Sequence, residues 1–394
     1  MSEMSAEERS DIVEYLASRG GPFYELQLRL GLLHKETLRV GRRAAIFVAL
    51  SWGVPLVLSL AQGAANQAAG APAYLHDLGA WSRFFAATGL FILAEGQVEA
   101  GLRAKLAQLV RAPIVAPGSV AAAADAVATA LRRRNSPAAE FTCAGIAFAS
   151  SIGWLVHLVA VDSESWRVVG GSPTLAGWWV ILFSAPLFDF LILRGLWRHL
   201  VWGLLLRRLS TLELRLVASH PDGNGGIGFL GDYPNAYAIF VLGLSIVGAV
   251  AVVRHVFENG TSPTTFSLVT AIWLAIILII FSLPLLAFWA PLSELKERSL
   301  RTLGAQATRF QRQAEHTLLG RNIVADDPSE FDQERPALDT AAQFAMSQKL
   351  STLLVNRKAI VPVGAAALAP FAIVGAKFLP YKEVVSILKK LLLL

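Results

Sequence analysis

The amino-acid sequence predicts an all-α protein: a polytopic membrane helix bundle with about six transmembrane helices, an ambiguous seventh apolar segment and a cytoplasmic helical hairpin. Three observations carry this. Apolar residues make up 54% of the chain and charged residues only 16%, and the mean hydropathy of +0.51 lies outside the soluble range. Several runs reach the roughly twenty apolar residues that a helix needs to cross hydrocarbon. Arginine concentrates in alternate connecting loops, as the positive-inside rule requires.

Residues 1–43 form a cytoplasmic amphipathic N-terminal region. Ser5 and Glu8 stand at capping-box spacing ahead of a polar helix that Gly20, Gly21 and Pro22 stop. The stretch Phe23–Val40 sets leucines among Arg29, Lys35 and Arg39, which predicts a second helix lying on the membrane surface. No small-residue cleavage site precedes the first apolar run, so that run is expected to be an uncleaved anchor.

Residues 44–290 form the transmembrane domain. Five segments read as spans on length and apolarity: Ala44–Gln62, Phe141–Val161, Thr174–Leu193, Ala236–Val253 and Phe266–Ala290. Leu78–Leu102 is shortened by Arg83 and Glu95, but loop charge requires the chain to return there. The arginines before Ala44 and those of loop 103–140 both belong inside. Loop 194–235 is also basic, whereas 162–172 holds only Arg167 and 254–265 only Arg254. Trp81, Trp166, Trp178 and Trp179 then fall at the outer interface, and Trp197, Trp202 and Trp289 at the inner one.

Residues 291–358 read as a cytoplasmic helical hairpin. Its first helix carries an apolar stripe at Leu303, Ala307, Phe310, Ala314 and Leu318. An acidic loop and Pro336 follow, and then a second helix to about Val355. In 359–394, the run Ala359–Ala376 contains Pro362 and Pro370 between basic flanks. It either spans, with the C-terminus outside, or is a re-entrant or interfacial segment, with the C-terminus inside; we take the second. Tyr381–Leu394 reads as a surface-lying amphipathic helix.

Composition also excludes classes of function. The sequence pI of about 9.6 comes from basic residues scattered over many loops, not from one face, which argues against nucleic-acid binding. Cys143 is the only cysteine, so one chain makes neither a disulfide nor a thiolate cage. No Gly-x-Ser-x-Gly, His-Glu-x-x-His or Walker pattern is present, and neither an enzymatic activity nor a cofactor is indicated. Abundant alanine and an excess of arginine over lysine suggest a GC-rich bacterial source, and hence the inner membrane.

Two groups of residues are candidate sites. Ionisable side chains inside spans are functional candidates because they are costly to insert. Glu95 and Asp189 are placed at one depth, in the cytoplasmic third, with Arg103, Arg194 and Arg198 as partners; His157, with Arg83, Asp162, Arg254 and His255, lies toward the outer side. Glu95, Asp189, Arg194 and His157 therefore outline an ion or proton path. Pro55, Pro186 and Pro284 break three spans, as in transporters, and Asp189 closely follows Pro186. The second group is the run His220, Asp222, Gly223, Gly225, Gly226, Gly228. The glycines match a dinucleotide pattern without its strand, so the readings are an anion-binding nest, a metal or proton site, or a glycine-rich turn with Asp222 bonding local amides.

The leading functional expectation is an ion channel or secondary transporter, homo-oligomeric through the Leu303–Leu318 stripe and bathed in the lipid bilayer. The alternative is a scaffold or sensor whose hairpin binds a cytoplasmic protein or whose loop binds an anionic ligand. A lipid-binding role rests only on basic residues at the inner interface.

Overall fold

The computed structural model describes residues 15–62, 74–160, 165–259, 263–325, 340–355 and 357–378. The expectations for Ser5–Glu8, Asp162, the acidic loop after residue 325 and the C-terminal tail lie outside the described residues. Of Arg254 and His255 only the backbone is described.

The protein is an α-helical integral membrane protein: five helices are long and apolar enough to cross a membrane, and they include the five segments read from hydropathy. In chain order the helices are α1 (Pro22–Arg29), α2 (Val40–Ala61), α3 (78–111), α4 (Val120–Arg134), α5 (Pro137–Ala160), α6 (Leu175–Ser210), α7 (Ala238–Asn259), α8 (Pro263–Ser282), α9 (Trp289–Leu319), α10 (Thr340–Lys349) and α11 (Arg357–Phe378). The described strands, β1 (Val168–Val169) and β2 (Ser172–Pro173), make a small antiparallel hairpin between α5 and α6.

Helix α3 is the axis of the bundle, touching α2, α6 and α7. Phe84, Ala87, Phe91, Ile92 and Leu102 on it are all buried. This explains how a helix with Arg83, Glu95 and Glu99 sits there: its charges face protein groups, not lipid, and its apolarity falls below that of the five spans. Helix α11 runs unbroken through Pro362 and Pro370 and packs on α7 and α8, burying Val363, Ala367 and Phe371. Its apolar stretch, Ile360–Ala376, is about 26 Å long, slightly under the hydrocarbon thickness.

Each of the three span prolines coincides with a departure from α geometry. A wide, π-type turn precedes Pro55 (Ala49–Gly53) and Pro186 (Val180–Ser184), and a tight 3₁₀ turn surrounds Pro284 (Leu283–Phe288). A proline supplies no N–H, so carbonyls one turn earlier need other donors. Neighbouring helices provide them. Ahead of Pro55, Leu50 O accepts from Trp179 Nε1 at 2.9 Å and Ser51 O from Ser184 Oγ at 2.7 Å. Ahead of Pro186, Ile181 O accepts from Ser151 Oγ at 2.7 Å. Ahead of Pro284, Ile280 O pairs with His199 Nε2 at 3.0 Å and Phe281 O accepts from Tyr233 Oη at 2.5 Å.

At the β-hairpin end, Asp77 caps the start of α3 through the amides of Gly79 and Ala80 and also accepts from Trp166 Nε1 at 3.0 Å and from Arg167. The Arg167 guanidinium lies over the rings of Trp166 and Trp154.

Several expected boundaries are corrected. The Phe23–Val40 helix stops at Arg29, where Gly31 at φ +67° turns the chain and Leu33 and Leu38 fold back on Tyr24. The stretch expected as loop 194–235 begins with helix, because α6 continues to Ser210, and is non-helical over 211–219. Much of 103–140 is likewise helical, in α3 and α4. Helix α9 packs against α10, with Gly304 against the Phe344 ring, but α10 ends at Lys349, not at Val355. There Lys296 Nζ donates to Leu350 O at 2.8 Å, and the chain leaves the helix to dock on the glycine-rich loop.

Candidate functional site

A network of buried charge links α2, α3, α4, α5 and α6 with the non-helical segment that precedes α1. On α3, Glu95 and Glu99 stand one turn apart; on α6, so do Arg194 and Arg198. Arg194 is the hub: Nη1 lies 2.5 Å from Glu95 Oε1 and Nε 2.8 Å from Glu140 Oε1. Arg43 of α2 reaches the other Glu95 oxygen at 2.7 Å and donates to Gln27 Oε1 at 2.7 Å. Arg43, Arg194 and Glu140 are each 3% exposed or less. At such burial, ionised groups persist only when paired and hydrogen-bonded.

The segment before α1 is built into this network. Arg198 donates to Ala17 O and Gly20 O, Arg134 donates to Leu16 O, and Ser18 Oγ donates to Glu95 O. Arg19 pairs with Glu99 at 3.0 Å, while Glu140 accepts from Phe23 N at 2.8 Å. The Gly20–Gly21 pair, read as a helix stop, has a more specific role. Both take positive φ, and a Cβ on Gly21 would stand 2.7 Å from Glu140 Oε1, so the turn admits the carboxylate only because it has no side chain.

Within the network is a cavity of about 40 Å³, whose lining includes Ser18, Glu95, Arg194, Arg198 and Tyr237 together with Phe91, Val98, Leu191 and Phe240. Gly195 brings α6 close here, since a Cβ at that position would meet the Phe240 ring.

The chain matches no family model, no curated protein and no solved structure. The site is therefore argued from its geometry.

Of the four path candidates, the structure brings together Glu95 and Arg194. Asp189 is placed differently from the expectation of a shared depth. Glu95 sits level with Arg194, five residues and so about 7.5 Å further along α6 than Asp189. Asp189 is half-buried at the α5–α6 contact, where Ser150 donates to it and Arg83 is the nearby charge. Arg83 thus lies near Asp189. His157 is exposed on α5, 17 residues beyond Glu140. Among the described residues Glu95 ion-pairs with Arg43 and Arg194, and Arg103, expected as a partner, is not one of them.

The glycine-rich loop folds around its own carboxylate. Asp222 accepts from the amides of Asn224 (2.8 Å), Gly226 (3.1 Å) and Gly228 (2.9 Å), and its Oδ1 lies 2.8 Å from His220 Nδ1. Gly223, Gly225 and Gly226 have φ between +66° and +94°, which glycine adopts freely. Gly228 is needed for space, as a Cβ there would lie 3.0 Å from Asp222 Oδ2. The nest that could bind an external anion is thus filled from within. Its outer edge is also taken: Ser351 N donates to Gly223 O, and Asn224 Nδ2 donates to Ser351 O and Leu353 O. Among the described residues no group of three His, Cys, Asp or Glu side chains converges as metal ligands would.

Partial burial pushes the Asp222 pKa up, but the hydrogen bonds from Asn224, Gly228, Gly226 and His220 together outweigh it and hold the pKa below the ordinary value. A carboxyl with a depressed native pKa contributes stability that is full above its unfolded value, about 3.9, and lost as the pH falls through the native value. Hydrogen exchange of peptides covering 220–231 is accordingly expected to accelerate below about pH 4 relative to peptides from α3. An Asp222→Ala variant is expected to show fast exchange already at pH 7, and equal protection in the two proteins would contradict this account of the loop.

Sequence reasoning missed Arg19, Arg43, Glu99, Arg134, Glu140 and Tyr237 as members of the site. One signal was readable: Glu95 with Glu99 and Arg194 with Arg198 share the i, i+4 spacing, so two helices offer matching ladders of opposite charge.

Proposed function

We propose that the chain is an ion-transport protein, a channel or secondary transporter, of a bacterial inner membrane, with its N-terminus cytoplasmic and its path passing the Glu95–Arg194–Glu140 network. The observation that carries this reading is a set of buried ionic groups around a cavity within a bundle of membrane-crossing helices. Buried ion pairs are poor stabilisers compared with apolar packing, so their retention at the axis of a membrane bundle speaks for use. The breaks at Pro55 and Pro186 add support, since both lie on helices that contribute arginines to the network. Asp189, beside Ser150, is a second station on the same helix.

Flux from proteoliposomes tests the proposal. Wild type and the Glu95→Gln, Asp189→Asn double variant are compared under sodium, potassium, chloride and proton gradients. The expected result is flux of one ion class in wild type that the double variant loses. Absence of flux under every gradient would sink the reading.

The second reading is a scaffold or sensor that acts through 291–358. It is favoured by the exposed apolar tip of the hairpin, where Leu318, Ile323 and Val324 are 83%, 74% and 72% exposed, well suited to a protein partner or a second copy. Recovery of a stable partner by the full chain, lost when Leu318 and Ile323 are made polar, would favour it.

A further inference from the structure

We propose that the cavity at the Glu95–Arg194–Arg198 junction binds a small monovalent inorganic anion of halide size. The inference deepens the transport reading and rests on it for the use of the site, but not for binding, which is measured separately.

The first argument is charge. Among the described residues the network holds five arginines, Arg19, Arg43, Arg134, Arg194 and Arg198, against three glutamates, Glu95, Glu99 and Glu140. Two positive charges are therefore in excess. Their hydrogen bonds to backbone carbonyls of the 16–20 segment lower the cost of burial but supply no counter-charge.

The second argument is the direction of the unfilled hydrogen bonds. Arg198 Nε and Tyr237 Oη are both buried without a partner, and both residues line the cavity. A guanidinium N–H only donates, and the phenol also has a proton to give. What these two donors lack is an acceptor. Glu95, the one carboxylate on the lining, is ion-paired with Arg43 and Arg194, and its Oε2, 2.7 Å from Arg43 Nη1, makes no hydrogen bond of good geometry.

The third argument is size and polarity. A volume of about 40 Å³ accommodates a particle of water-like to halide-like size. Its lining also includes Phe91, Val98, Leu191 and Phe240 and is mostly apolar. Such a site favours a weakly hydrated monoanion over a dianion, whose desolvation cost rises steeply with charge.

The experiment uses the full-length protein in detergent, exchanged into sodium gluconate and titrated with sodium bromide or chloride at constant ionic strength, with thermal midpoint and calorimetry as readouts. Saturable halide binding is expected that gluconate does not reproduce. Tyr237→Phe and Arg198→Lys each remove one donor, Lys keeping the charge, and each is expected to weaken halide binding about tenfold or more, the value of one hydrogen bond to a charged group. Halide indistinguishable from gluconate, or equal affinity in all three proteins, would overturn the proposal. Saturable binding with no flux in vesicles would refute transport and leave the anion site standing. Flux of a cation without halide binding would do the reverse.

Discussion

Replacing Arg194 with Leu is expected to cost about 3–5 kcal/mol of stability, the range found when one partner of a buried ionic group is removed. The reason is geometric. Among the described residues Arg194 is the one side chain ion-paired with both Glu95 and Glu140, and its loss takes a partner from each. Glu95 would keep Arg43, and Glu140 would keep only the longer contact to Arg198 at 3.7 Å and the Phe23 amide. The triple variant Glu95→Gln, Glu140→Gln, Arg194→Leu is expected to be less damaged than the sum of its parts, because the three groups form one network. Thermal unfolding in detergent, followed by tryptophan fluorescence, measures this; strict additivity would mean that the pairing seen here has no energetic content. The same variants separate structure from use. If the triple variant regains stability without regaining flux, the charges serve transport and not folding.

Replacing Asp77 with Ala is expected to have a comparable effect at the opposite end of the bundle. The Asp77 side chain is buried, caps α3 and neutralises Arg167. Alanine leaves that arginine without this partner against Trp154 and Trp166, again about 3–5 kcal/mol by the same rule. Asn keeps an oxygen for the amides of Gly79 and Ala80 and is expected to recover about 1 kcal/mol, the usual worth of an N-cap. Comparison of the three proteins by thermal midpoint distinguishes cap from ion pair. If Asn and Ala behave alike, the cap contributes nothing.

What could be read from the sequence follows from the range of the forces involved. The span Ala44–Gln62 was legible because a run of Val, Leu, Ile and Ala needs no partner to prefer hydrocarbon, and α2 ends within a residue of the expected point. The continuation of α6 through Arg194, Arg198 and Arg207 was not, because arginines read one at a time look like loop residues. The tolerance of Arg194 depends on Glu140, 54 positions away, and on Glu95, 99 positions away, whereas Arg207 is exposed. Glu140 itself lies in the first turn of α5, where an acidic residue is ordinarily taken as a solvated partner of the helix dipole. The glycine-rich loop was half legible. Its positive-φ glycines and the bonding of Asp222 to nearby amides follow from local chemistry, whereas the docking of 351–353 on its edge depends on where α10 ends.

The side-chain bonds that cover the carbonyls ahead of the prolines also bear on how the bundle can move. Ser151 of α5 serves α6; Trp179 and Ser184 of α6 serve α2; His199 of α6 serves α8. A proline break is commonly a loose joint, free to bend by itself. Here α6 holds two helices at their weak points and is itself held at its own by α5, so a rotation of α6 would leave carbonyls on α2 and α8 bare in apolar surroundings until new donors arrived. Bending in small independent steps is disfavoured, and a concerted exchange between two fully bonded arrangements is favoured. Because Arg194 and Arg198 lie on that same helix, the switch that re-stitches the bundle would carry the charge network with it.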